Sequence, residues 1–317
     1  MKDPIVRTAT GDVAPADLGL TDYHEHLLIR SPLLAGDELD DVARSSEEAW
    51  SLHAAGIDTV VELTPLGLGR DADGLVEIAR SSGLRVVVAT GVHREAHYPD
   101  GHWVRDATED ALADRFTAEV LDGCAASDAL DATTPPGTVR AGVIKCGTGY
   151  WSIGPLERTV LAAAVETHRR TGVAIICHLE MGTAAHEVVE LLTSDGVEID
   201  AIALAHADRN PDPGLHSELT SAGVYLGYDG IARAKYWPDS TILDCLIKTA
   251  ERGRADRLLL GGDVARRTSF RSYGGLPGLD YLPRVFVPRL AAAGGEELLE
   301  RVLVSNPAAF LSFTPPR

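Results

Sequence analysis

Cysteine is scarce in this chain and never clustered. Cys124, Cys146, Cys177 and Cys245 include no C-x-x-C pair, so no disulfide framework is implied. Three of them lie in or beside apolar runs, where a free thiol packs as a small hydrophobe. That usage suits a reducing cytoplasm. No apolar run approaches the roughly 20 residues that span a membrane. Met1-Lys2-Asp3-Pro4 opens without an apolar h-region, so neither a signal peptide nor a membrane location is expected. Basic residues are also short, with 29 Lys and Arg against 47 Asp and Glu and a net charge of −18. That balance excludes a nucleic-acid backbone or an anionic membrane as the main partner. A G-x-G-x-x-G turn after the first strand is missing too, which removes the usual support for a doubly wound open sheet. No composition break marks a linker, so residues 1–317 read as a single domain.

What is present is a regular alternation. Hydrophobic content of 45% against 24% charged is enough to bury a sizeable core. Residues 5–13 read as a short hairpin turning at Gly11-Asp12. Buried strands then follow over about 19–23, 57–63, 85–91, 141–146, 173–178, 199–206, 223–228 and 257–263. Helical periodicity separates them over 37–55, 72–81, 108–124, 155–170, 183–194, 213–221 and 239–252. An irregular aromatic loop spans 92–108, and a turn is expected at 133–137. Apolar runs joined by helices imply a parallel sheet, and eight such units most simply close into a (β/α)8 TIM barrel.

Chemistry-bearing residues recur at the strand ends. His24 and His26 stand one residue apart, and side chains at i and i+2 of a strand share a face. Lys145, His178, His206 and Asp263 close four other runs. In a barrel these ends form one rim, where active sites are built. A lone histidine on an apolar strand is ordinarily a satisfied core residue, but six metal-compatible side chains on one rim are not explained that way. They exceed one tetrahedral ion and suit two ions about 3.5–4 Å apart. Two such ions need an anionic bridge, and a protonated Lys145 would repel them. A lysine carboxylated by carbon dioxide becomes a bridging carbamate and removes the conflict.

These stretches resemble the phosphotriesterase family of the amidohydrolase superfamily along nearly the whole chain. The matching runs are Thr21-Asp22-Tyr23-His24-Glu25-His26-Leu27, Gly142-Val143-Ile144-Lys145, Cys177-His178, Ala205-His206, Gly262-Asp263 and Asn306-Pro307. The resemblance implies an α-metal held by His24, His26 and Asp263, and a β-metal held by His178 and His206. Carbamylated Lys145 and a hydroxide would bridge them. It also implies a homodimer. The ligand set accepts Zn²⁺ as the first expectation, or Mn²⁺, Co²⁺ or Fe²⁺. The metals would generate hydroxide at neutral pH and the β-metal would polarise the scissile group. Asp263 would orient the hydroxide and take its proton. Asp208 is either a partner in carrying that proton away or a loop cap.

The substrate is expected to be small and anionic. Basic residues gather after strand 7 (Arg233, Lys235) and strand 8 (Arg266, Arg267, Arg271), where barrels often hold phosphate. Asp229-Gly230-Ile231-Ala232-Arg233-Ala234-Lys235-Tyr236 with Asp263-Val264-Ala265-Arg266-Arg267 resembles the branch that hydrolyses phosphorylated sugar lactones. By that resemblance Lys235 and Arg266 would grip the phosphate; Arg267 and His93 are further candidate substrate contacts. Two departures matter. Ser269 stands near where the branch has a tyrosine, which leaves phosphate or carboxylate open as the anion. His93 stands where many family lactonases carry a tyrosine, which counts against acyl-homoserine lactones. The expected function is therefore a binuclear metal-dependent lactonase. A phosphotriesterase or arylesterase is the alternative enzyme, and a non-catalytic metal-containing binding module the alternative of another class.

Overall fold

The computed structural model describes residues 3–125 and 136–316. The expected turn at 133–137 lies in part outside the described residues. Strands β1 (Val6–Thr8) and β2 (Gly11–Val13) pair antiparallel, with Val6 opposite Val13, forming the expected hairpin. Eight more strands follow: β3 (Thr21–Glu25), β4 (Thr59–Glu62), β5 (Arg85–Gly91), β6 (Val143–Thr148), β7 (Ile175–Leu179), β8 (Ile202–Ala205), β9 (Tyr225–Tyr228) and β10 (Leu258–Leu260). They lie in chain order in one parallel sheet. At the seam the Asp263 N–H donates to the His24 carbonyl at 2.7 Å. The sheet is thus a nearly closed (β/α)8 TIM barrel.

Helices α1 (Val42–Ala54), α2 (Ala72–Ser82), α3 (Glu109–Leu121), α4 (Pro155–Thr171), α5 (Ala185–Ser194), α6 (Pro213–Ala222) and α7 (Asp239–Thr249) alternate with the strands. Their ends follow local chemistry. Asp41 accepts from the Arg44 N–H at 3.1 Å and starts α1 there, five residues later than the apolar period suggested. Gly83 and Gly172 end α2 and α4 at φ 85° and 80°. The sequence reading assigned no helix or strand beyond Asp263, yet α8 (Val287–Gly294), α9 (Glu296–Glu300) and α10 (Asn306–Leu311) form there. Prolines in the first turns of α8 and α10 read as breakers in sequence but are tolerated at that position. Three strands are also shorter than expected, because 199–201 forms a 3-10 turn and pairing is confined to Tyr225–Tyr228 and Leu258–Leu260.

Alternation along the strands sorts the core. Val61, Leu63, Val87, Ala89, Val143 and Ile176 pack inside the barrel, while Val60, Val86, Val88, Ile144 and Ile175 pack towards the helices. Val6 and Leu18 join the inner cluster. The same period places Lys145 two residues after inward Val143, and His178 two after inward Ile176. Among the described residues no helix is long and apolar enough to cross a membrane.

Candidate metal centre

The six residues meet at one end of the barrel. His24 is in the last turn of β3 pleating and His26 lies just beyond it; His178 is the penultimate residue of β7, and His206 follows β8 directly. Asp263 lies three residues past β10. Lys145 is the third residue of β6 and not its end, so its side chain reaches the site by length. All six are buried. His206 and Asp263 have left-handed φ angles of 65° and 47°. Such backbone costs a non-glycine residue roughly 1–2 kcal/mol and tends to cluster at functional sites.

Hydrogen bonds fix which ring nitrogens stay bare. Asp229 accepts from Nδ1 of His24 at 3.0 Å and from Nδ1 of His206 at 2.6 Å. Both rings therefore carry their proton on Nδ1 and present Nε2 as a lone pair. His178 places Nε2 3.0 Å from the Glu180 carboxylate, so its lone pair is on Nδ1. That Nδ1 lies 2.7 Å from His206 Nε2. Two lone pairs facing at this distance repel, unless a cation lies against both. His24 Nε2 likewise faces Asp263 Oδ1 at 3.3 Å, lone pair against carboxylate, with His26 Nε2 at 3.4 Å from the same oxygen. The liganding atoms of His24, His26 and Asp263 fall within 4.8 Å of one another. Among the described residues, Lys145 Nζ and His24 Nε2 are buried with no hydrogen-bond partner. These donors fit divalent metal ions.

Electrostatics agree with that fit. Burial, with help from the Lys145 charge, pushes His24 down to about 3. Burial also lowers His178 and His206. The imidazoles are thus neutral, as metal ligation requires. Burial lowers Lys145 as well, against the pull of Asp263 and Asp229. Burial would raise Asp263, but Arg233 and then the neighbouring histidines hold it well below the ordinary carboxylate value. Arg233 and Arg209 contact Asp263 Oδ2 at 2.5 and 3.2 Å, leaving Oδ1 to the histidines.

A cavity of about 480 Å³ opens above these groups, lined by His24, His93, His178, His206 and Asp263 among others. His93 is a buried wall residue, its ring stacked on His97 at 4.1 Å and edge-on to His178 at 4.6 Å. Lys235 lines the cavity with Nζ 4.9 Å from the Tyr236 ring. The expected anion grip is otherwise altered. Arg266 lines the cavity but bonds Asp37 at 3.0 Å, which spends part of its charge. Arg267 faces away, towards Asp40 at 3.6 Å and the Tyr273 ring, and lines a separate surface depression. Arg271 is paired with Asp280 at 2.6 Å. Asp208 has the cap geometry, its Oδ2 accepting from the Asp229 and Gly230 N–H groups. Sequence reasoning gave no role to Asp229, Arg209, Glu180 or Tyr23, whose hydroxyl donates to Asp229. For Glu180 the signal was available: like Asp208 after His206, it is an acid two residues beyond a strand-end histidine.

Comparison with known proteins agrees with this geometry. The sequence pattern of the Phosphotriesterase family matches residues 4–311. The chain belongs to the phosphotriesterase family. Family members similar to it include a phospho-furanose lactonase of Mycoplasmopsis agalactiae, 32% identical over 330 residues covering 100% of this chain and 94% of that one. The structure of a lactonase from Listeria monocytogenes superposes with a TM-score of 0.90 at 30% identity, covering 98% of this chain and 99% of the other. The phosphotriesterase homology protein of Escherichia coli, solved with phosphate in its active site, gives a TM-score of 0.84 at 29% identity, with 93% and 99% covered.

Proposed function

We propose that this family member is a binuclear metal-dependent hydrolase that opens lactones carrying an anionic group. The observation that carries the reading is the facing pair of bare nitrogens at His178 and His206, beside the second pair of like-signed groups at His24 and Asp263. His24, His26 and Asp263 would hold one ion, His178 and His206 the other, and Lys145, as its carbamate, would bridge them. When bound, two such ions lower the pKa of a water towards 7 and polarise a carbonyl oxygen.

The chain's own residues supply the rest. The buried Lys145 amine, its pKa lowered, is the neutral nucleophile that adds to carbon dioxide; an N–C bond forms and one proton leaves. Asp263, kept ionised, orients the attacking water and accepts its proton. Neutral His93 and His97 wall one side of the cavity. Arg94, Arg209, Arg233, Lys235 and Arg266 line it against two carboxylates, Glu180 and Asp263. In a protein of net charge −18 this local excess of cations favours an anionic substrate. The similarity to a phospho-furanose lactonase supports the same class.

The test is to strip metal with chelator, restore it, and compare phosphorylated, carboxylated and uncharged lactones beside paraoxon-like triesters. Metal-dependent turnover highest on an anionic lactone is expected. Faster triester hydrolysis would move the reading to a phosphotriesterase, and no turnover with two ions bound would leave a binding module.

A further inference from the structure

The four imidazoles of the centre are not held alike. His24 and His206 share one buried anion, Asp229, and His26 Nδ1 meets the Thr64 hydroxyl at 2.8 Å. His178 alone is held from the cavity side, by Glu180 through Nε2. Glu180 stands two residues after His178, directly past β7, and the next residue, Met181, adopts a left-handed φ of 56°. The Thr183 hydroxyl donates to the Glu180 carbonyl at 2.7 Å, and the Trp151 N–H donates to that hydroxyl at 2.9 Å, so this segment is tied to the loop after β6. Arg94 Nε lies 3.2 Å from the same Glu180 oxygen that meets His178.

Resting on the binuclear reading above, we propose that Glu180 is a positioning residue for the second metal site. Its carboxylate accepts the Nε2 proton of His178, and that choice of tautomer leaves Nδ1 as the lone pair turned towards His206 Nε2. With the proton on Nδ1 instead, His178 would present an N–H at 2.7 Å from His206 and could not ligate there. A carboxylate behind a ligating imidazole also raises its basicity. Arg94 pairs with the same carboxylate oxygen. The α-site has no such dependence, since His24 and His26 are oriented by Asp229 and Thr64.

The test measures metal binding and not turnover. Wild-type chain, Glu180→Gln and Glu180→Ala are stripped and titrated with Zn²⁺ against a chromophoric chelator, and ions per chain are counted by elemental analysis. Glutamine keeps an oxygen for the hydrogen bond and removes the charge; alanine removes both. Affinity for the second ion should fall roughly 10–100-fold, more for alanine, with the first ion unchanged. Unfolding midpoints in chelator should match wild type, which separates positioning from a folding defect. Wild-type affinity for both ions in Glu180→Ala would overturn the proposal, as would equal weakening of both ions. A wild-type chain that never takes more than one ion would instead overturn the binuclear reading itself.

Discussion

Replacing Lys145 by methionine should change the sign of its effect on stability with the metal content of the buffer. Lys145 is fully buried and its Nζ has no hydrogen-bond partner among the described residues. A buried polar group left unpaired costs about 1–3 kcal/mol. Methionine has similar length, no donor, and adapts to irregular apolar space. In chelator, Lys145→Met should therefore be more stable than wild type by roughly 1–3 kcal/mol, read as a higher urea midpoint with unchanged slope. The gap has a pH signature. Burial lowers the folded-state pKa of Lys145 from 10.5, so the unfolded chain binds more protons at Nζ between the two values. Wild-type stability then climbs as pH rises towards 10.5, and the advantage of the variant narrows. With metal and bicarbonate present the order reverses. Ions bound only to the folded state stabilise it by about 2.7 kcal/mol each at a hundredfold excess over Kd, and the variant cannot form the carbamate proposed to join the pair. A variant less stable than wild type in chelator would refute the argument that Lys145 is an unsatisfied group. A wild-type chain that gains nothing from metal and bicarbonate would refute the carbamate.

Three other outcomes are expected. Lys235→Met should lower kcat/KM on an anionic lactone by one to two decades, the worth of a charge-assisted contact of roughly 1.5–3 kcal/mol, and barely alter an uncharged one. Arg266→Met should cost less because Asp37 already shares its charge, and equal losses on both lactones would reassign these residues to loop support. Asp229→Asn should weaken both ions, about 10–100-fold each, because His24 and His206 lose their common anion; chelator competition showing one site untouched would contradict this. Finally, since His24 titrates near 3 and burial also lowers His178 and His206, these three imidazoles should release no protons on metal uptake between pH 6 and 7.5. Calorimetry in buffers of different ionisation enthalpy should find no more than the protons lost by carbamate formation and by the metal-bound water, and a further proton from each of these three histidines would disprove it.

The barrel was legible because its signals are local. Eight apolar runs separated by helical periods need only neighbouring residues to be recognised, and parallel pairing in chain order then follows. The candidate ligands were legible for the same reason: a histidine, lysine or aspartate closing an apolar run announces a strand end, and strand ends of a barrel share a rim. Helices α8 and α10 escaped because proline in a first turn looks locally like a break. What the residues do to one another was out of reach of any such pattern. Asp229 meets His24 across 205 positions of sequence, and Glu180, after β7, meets Arg94, after β5. Which nitrogen of each imidazole is bare depends on those partners and on nothing in the motif that contains the histidine. The basic cluster shows the opposite error. Adjacent in sequence, Arg266 and Arg267 were expected to act together, yet one lines the cavity and the other turns away to Asp40. Neighbours along a loop share a chain path but not a direction, so composition could announce an anion site while only the folded loop, with each side chain choosing its nearest carboxylate, decided which cations remain for a ligand.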